Sequence, residues 1–135
     1  MRADPAVVRS PSSGAAASDA LPAAAGGEPP VDLVHLARQT DGDAALETEL
    51  LGMFDRQSAK LIARLEISDV ACRTRADIAH RLRGSALAIG ARRVARGAEA
   101  VEKAFESGDG DPEAELAELA DAVREARAAI SALNG

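Results

Sequence analysis

The stretch "AHRLRGSALAIGA", residues 79–91, holds the side chains of this chain best placed to do chemistry. Its apolar residues recur at helical spacing, yet His80 stands among them with Arg81 and Arg83 close behind, and Gly84 follows one turn later. An α-helix advances about 100° per residue. Ile78, Leu82 and Ile89 then fall on one side, with Ala71 and Ala86 close by, and His80 lies nearly opposite. Arg73, Ala76, Asp77, Arg83, Gly84 and Leu87 share the face of His80, so the imidazole is expected to project into solvent from the middle of a rigid helix. A mid-helix glycine costs about 1 kcal/mol relative to alanine. On an exposed face it does not serve the core; it opens a surface beside the imidazole where another protein can come close. Arg83 reaches the same space, and a guanidinium there can hydrogen-bond phosphoryl oxygens. Imidazole is largely neutral near pH 7 and nucleophilic. The reactive P–N bond of a phosphohistidine lets the group be passed on. These residues point to a phosphorylation site with a docking surface; a plain solvent-exposed histidine is the alternative on helix geometry alone.

Between residues 70 and 98 the arginines Arg73, Arg75, Arg81, Arg83, Arg92, Arg93 and Arg96 face a single acid, Asp77. The chain as a whole carries a net charge of −6 over 135 residues. A local positive field in an acidic protein favours an acidic partner, whereas nothing in the overall balance suits nucleic acid. With two Phe and neither Trp nor Tyr, base stacking has almost nothing to use. The lone Cys72 excludes an internal disulfide framework, fits a reducing cytoplasm and is expected to be packed or idle. No stretch approaches the roughly 20 apolar residues of a membrane span. The Ala-rich "GAAASDALPAAAGG" is interrupted by Asp19 and Pro22 and lacks the apolar run of a signal peptide. Two distant histidines without a paired-ligand motif make a poor metal site, and His35 is expected to be structural.

The elements that must hold His80 follow from periodicity and caps. Residues 1–30, rich in Ala, Pro, Ser and Gly, bury too little to offset the entropy of ordering and read as a flexible tail. From residue 31 to 135 the pattern is helical. Asp32 can cap a short helix that ends at Asp41 and Gly42, and Asp43 can cap a long one. Leu46, Leu50, Met53, Phe54, Leu61 and Leu65 form the stripe of that long helix, with a lapse at Gln57 and Ser58. Ser68 and Asp69 break the run and supply the next cap, for a helix from about Val70 to Ile89 that Gly90 ends. A fourth helix spans roughly Ala91 to Glu106, with Val94, Ala98, Val101 and Phe105 on one face. Asp111 caps the last helix, Pro112 sits at its first position, and Leu116, Leu119, Val123, Ile130 and Leu133 form its stripe. No β pattern occurs. The expected fold is all-α: an up-down four-helix bundle with a short extra N-terminal helix.

The run "AHRLRGSALAIGARRVARGAEAVE", residues 79–102, resembles the histidine-containing phosphotransfer (HPt) domains of bacterial two-component phosphorelays. That family's pattern is His, an apolar residue, Lys or Arg, Gly and small residues, with a second Gly ten after the His. His80, Leu82, Arg83, Gly84, Ser85, Ala86 and Gly90 supply it in order. Val101 and Glu102 match the usual Leu-Glu of the next helix, and "GDAALETELLGMFDRQSAKLIARL" resembles the helix before the His helix. The resemblance runs over about residues 31–133 and leaves the tail outside.

The resemblance implies that His80 accepts a phosphoryl group from a receiver-domain aspartate of a hybrid histidine kinase and hands it to that of a response regulator. Mg²⁺ is then expected on the partner receiver, with no cofactor or metal here. Glu102 matches a glutamate that in some members hydrogen-bonds the imidazole; a solvated surface acid is the other reading. Arg83 replaces the commoner lysine, and Leu87 stands where many relatives have a smaller residue. Arg83, Gly84, Leu87, Ala76 and Glu102 are the expected supporting set around His80. Without a Gly-rich nucleotide loop the chain is expected to be a phosphoryl carrier and not an enzyme, cytoplasmic and monomeric, with receiver domains as partners and neither nucleic acid nor membrane. A helical module that binds receivers or partner helices without carrying phosphate is the alternative from another class, and a separated piece of a larger kinase is a further one.

Overall fold

Five helices, α1 (Leu33–Gln39), α2 (Ala44–Leu65), α3 (Cys72–Ile89), α4 (Arg92–Ser107) and α5 (Pro112–Asn134), make up the computed structural model, which describes residues 28–134. Most of their ends are written locally. The Asp32 carboxylate accepts from the backbone N–H of His35 at 3.0 Å, and the Asp43 carboxylate from that of Leu46 at 3.1 Å. Asp111 does the same for the N–H of Glu113 at 3.1 Å, with Pro112 at the first helical position as expected.

The start of α3 differs from the expectation. Asp69 does not cap it; the helix begins at Cys72 behind Ala71, which has extended backbone and makes no side-chain cap. Its end is as expected. Gly90 adopts φ 77°, and a Cβ there would lie 2.8 Å from the Cβ of Asp32. The position needs glycine twice over, for the left-handed turn and for the approach of the chain entering α1. Asp32 N–H donates to the Gly90 carbonyl at 3.1 Å and buttons that entry to the α3–α4 corner.

Helices α2 to α5 form the bundle in up-down order. α3 contacts α2 and α4, α5 contacts α4 and α2, and α1 lies over α2 and α3. In the two diagonal pairs, α2 with α4 and α3 with α5, no Cα atoms approach within 8 Å. Leu51, Phe54, Leu61, Leu65, Ile78, Leu82, Val94, Val101, Leu119 and Ile130 are buried in one core with many alanines. Those alanines let the helices lie close. At Gly97 α4 and α5 lie so close that a Cβ there would stand 3.3 Å from the Cα of Leu119.

Three stripe assignments are corrected. Leu46, Met53 and Leu133 are 39%, 49% and 43% exposed. The lapse in α2 is no lapse: Ser58 is fully buried and continues the row of Phe54, Leu61 and Leu65, its hydroxyl donating to the Asp55 carbonyl at 3.3 Å. The expected tail falls, for residues 1–27, outside the described residues. Residues 28–30 belong with the bundle, because Pro30 is buried and Glu28 pairs with Arg96 at 2.9 and 2.5 Å.

Candidate functional site

The core side of α3 is filled by Ile78, Ala79, Leu82, Ala86 and Ile89, so His80 projects outward as its phase requires, with a side chain 65% exposed. α4 runs alongside and brings Glu102 to the ring. The Nδ1 atom of His80 lies 3.2 Å from Oε2 and 3.3 Å from Oε1 of Glu102, whose side chain is only 17% exposed. A carboxylate can only accept hydrogen bonds, so it selects the tautomer with the proton on Nδ1. The lone pair then sits on Nε2. The bond gives a fixed direction to an imidazole that would otherwise rotate freely.

The pair occupies the middle of the α3–α4 seam, with a shallow crevice on either side. Toward the start of α3 the crevice is lined by Arg73, Ala76, Asp77, Phe105 and Glu106. Toward its end the lining includes Arg83, Leu87, Arg92, Arg96 and Glu99. Arg83 therefore leans to the α4 side of the site. Leu87 is 48% exposed, an apolar side chain offered to solvent one turn past Arg83. Gly84 is exposed, and a Cβ there would meet nothing within 4 Å, so its absent side chain serves neither packing nor a turn.

Ala76 departs from its expected place. It shares the phase of His80 but is 2% exposed, because the neighbouring α4 covers that flank. It sits at the bottom of the crevice between Arg73 and Phe105 and leaves almost no surface of its own to solvent.

The positive field is also smaller than the sequence suggests. Arg92 pairs with Asp32 at 2.8 Å, Arg93 with Glu125 at 3.1 Å, and Arg96 with Glu28. Arg75 is buried at 7% exposure. Its Nε and Nη2 donate to the Leu65 carbonyl at 3.2 and 2.7 Å, and its guanidinium lies 4.6 Å from the centre of the Phe105 ring. It thus caps the C-terminus of α2 from α3 and stacks on α4, three residues beyond Glu102. Arg73, Arg81 and Arg83 remain without a carboxylate partner among the described residues.

Two features escaped sequence reasoning. Ser85 donates to Gln57 Oε1 at 3.0 Å and ties α2 to α3 beside Gly84. On α2 the cations Arg56, Lys60 and Arg64 stand one turn apart, a spacing visible in the sequence once the helix is granted.

Among the described residues no three His, Cys, Asp or Glu side chains converge as a metal site, and no helix is long and apolar enough to cross a membrane. Cys72 is exposed at the first position of α3, so of the two expected states, packed or idle, the packed one does not apply.

The Hpt domain family model matches residues 49–133, more than half of the chain, and the chain belongs to that family. Hpt domains serve histidine phosphotransfer in phosphorelays, exchanging with receiver domains as carriers without kinase activity of their own. No curated protein and no solved structure matches the chain. The matched segment begins inside α2, so α1 lies ahead of it, whereas the resemblance drawn from the sequence starts at residue 31.

Proposed function

We propose that this chain is a phosphorelay carrier in which His80 takes a phosphoryl group from the aspartyl phosphate of one receiver and gives it to the aspartate of another. The observation that carries the reading is the hydrogen bond from His80 Nδ1 to Glu102, which leaves the solvent-facing Nε2 as the nucleophilic atom. In the forward step the Nε2 lone pair forms a P–N bond, the P–O bond to the donor aspartate breaks, and the aspartate leaves as a carboxylate. The ring keeps its Nδ1 proton and becomes cationic, and the Glu102 carboxylate faces that charge as it develops. Transfer onward reverses these bonds. The receiver supplies the acidic pocket and its Mg²⁺, so the chain itself contributes a positioned nucleophile and a surface on which the receiver can sit.

Gly84 clears the approach beside the imidazole, and Leu87 offers the receiver an apolar contact. Arg83 assists by charge and is not essential, because the transferring group is already partly neutralised by the partner. The test is stoichiometric, acid-labile label on wild-type protein after incubation with phosphorylated receivers. His80→Gln should abolish the label and keep the helical circular dichroism of the wild type. Label retained in His80→Gln, at another residue, overturns the assignment.

A further inference from the structure

Seven side chains of α2 and α3 line an open groove of about 390 Å³: Met53, Arg56, Gln57, Lys60, Leu61 and Arg64 on α2 and Arg81 on α3. Its four cations have no carboxylate partner among the described residues, in a chain with 22 acids against 16 bases. Elsewhere among the described residues Arg92, Arg93, Arg96, Lys103, Arg124 and Arg127 pair with neighbouring carboxylates while Arg38, Arg73 and Arg83 do not; the groove is distinguished by gathering four unpaired cations in one place. Like charges held together without counter-charges repel one another, and an acidic protein had carboxylates to spare for them. At one end Met53 leaves half its surface to solvent, and the buried Leu61 forms the floor. The groove thus joins an apolar floor to a cationic rim, the composition of an interface and not of a solvated face.

Its position relates it to the acceptor. Arg81 follows His80 directly, and the Ser85–Gln57 hydrogen bond closes the α2–α3 seam at the level of Gly84. His80 therefore stands on a ridge with the Glu102 seam on one side and the cationic groove on the other. A body seated over His80 and Gly84 extends across Arg81 into the groove. Arg56, Lys60 and Arg64 form a slanting row that rises about 12 Å along α2. Its complement is an element with carboxylates one helical turn apart.

We infer that the α2–α3 groove is a specificity surface that docks an acidic helix face of the partner receiver, acting on which receiver binds and not on the phosphoryl step at His80. This rests on the carrier reading above and adds to it the chemistry by which one receiver is preferred to another. Three of the four cations lie on α2, and Glu102 is not part of the groove they line, so they act on encounter and hold.

Two measurements test it. The first needs no phosphate. A helix-stapled peptide with glutamates at i, i+4 and i+8 is titrated into ¹⁵N-labelled protein, next to a peptide of the same composition with the glutamates adjacent. The ordered peptide should shift the amides of residues 53–64 and 81, and the double variant Lys60→Glu/Arg64→Glu should weaken its binding about tenfold or more at low salt. Equal binding of both peptides, or shifts centred on Arg92 and Arg93, overturns the inference. So does binding of duplex DNA or anionic lipid vesicles at this groove without binding of the peptide. In the second measurement a phosphorylated receiver is titrated in single-turnover transfer. The double variant should raise the half-saturating receiver concentration about tenfold and leave the saturated rate unchanged. A fall in the saturated rate with unchanged half-saturation overturns the inference. Absence of any label on wild-type His80 overturns the carrier reading instead, while the peptide titration still decides the groove.

Discussion

Nδ1 of His80 and the carboxylate of Glu102 lie 3.2 Å apart across two antiparallel helices, although 22 residues separate them in sequence. A hydrogen bond on a side chain as exposed as His80 contributes about 1 kcal/mol, which corresponds to about a fivefold change in rate. Glu102→Ala should slow phosphoryl transfer by about that factor, and Glu102→Gln, which keeps an acceptor but loses the charge, by less. The ¹⁵N shifts of the imidazole provide the second readout: wild-type His80 should be mainly protonated on Nδ1 when neutral, and Glu102→Ala should move the population toward Nε2. Unchanged ring shifts in Glu102→Ala would show that the carboxylate does not orient the imidazole.

Gly84 should tolerate a side chain structurally and resist one functionally. A Cβ there meets nothing within 4 Å, so Gly84→Ala should raise helix stability by up to about 1 kcal/mol. Gly84→Gln should melt close to wild type yet slow transfer at least about tenfold, the equivalent of about 1.4 kcal/mol. Thermal melts and transfer rates measured on the same samples decide the matter. An unfolded Gly84→Gln would mean that the glycine serves packing.

Arg75 is expected to act on stability. Arg75→Met keeps much of the volume but leaves the buried Leu65 carbonyl without its two donors, a loss of about 1–3 kcal/mol. Arg75→Lys, with one donor in place of the fork, should fall between. Urea denaturation gives the difference, and an Arg75→Met midpoint equal to wild type would show that water replaces the guanidinium.

Acid should release α1 before the bundle. The N–H of His35, and then Arg92, hold the Asp32 carboxyl below its ordinary value of 3.8; a hydrogen bond from Arg96 does the same for Glu28, whose ordinary value is 4.5. A carboxyl lowered in the folded state adds stability that is present above its ordinary value and is lost as pH falls through the folded one. From about pH 4.5 downward, therefore, the ties of residues 28–40 to the α3–α4 corner weaken. Amide exchange at Leu36 should accelerate over this range while Leu119 stays protected. Simultaneous loss at both residues would place the acid sensitivity in the bundle core.

Much of this was legible in the sequence because it is local. The caps at Asp32, Asp43 and Asp111 and the stop at Gly90 each depend on a few neighbouring residues. The outward phase of His80 follows from the apolar side of its own helix. What depends on a neighbouring helix was harder to read. Ala76 lies on the exposed phase of α3 and is covered by α4, while Arg75 counts as surface charge until Leu65 and Phe105 are placed beside it. Ser58 interrupts an apolar stripe by residue type, yet a hydroxyl bonded within its own helix fits the core. Glu102 entered through resemblance alone, since no spacing within one helix reveals a partner on the next.

The diagonal separation of α3 and α5 has a practical side. α5 carries no residue of the crevices beside His80, and its Cα atoms stay more than 8 Å from those of the helix that bears it. Its outer positions, such as Ala117 and Ala128, are exposed, so a cysteine introduced at one of them would anchor the protein to a sensor surface with His80 turned toward the solution. The native thiol must go first. Cys72 is exposed at the first position of the His helix, and an anchor or dye that reacted there would be fixed to the one helix whose freedom the assay requires.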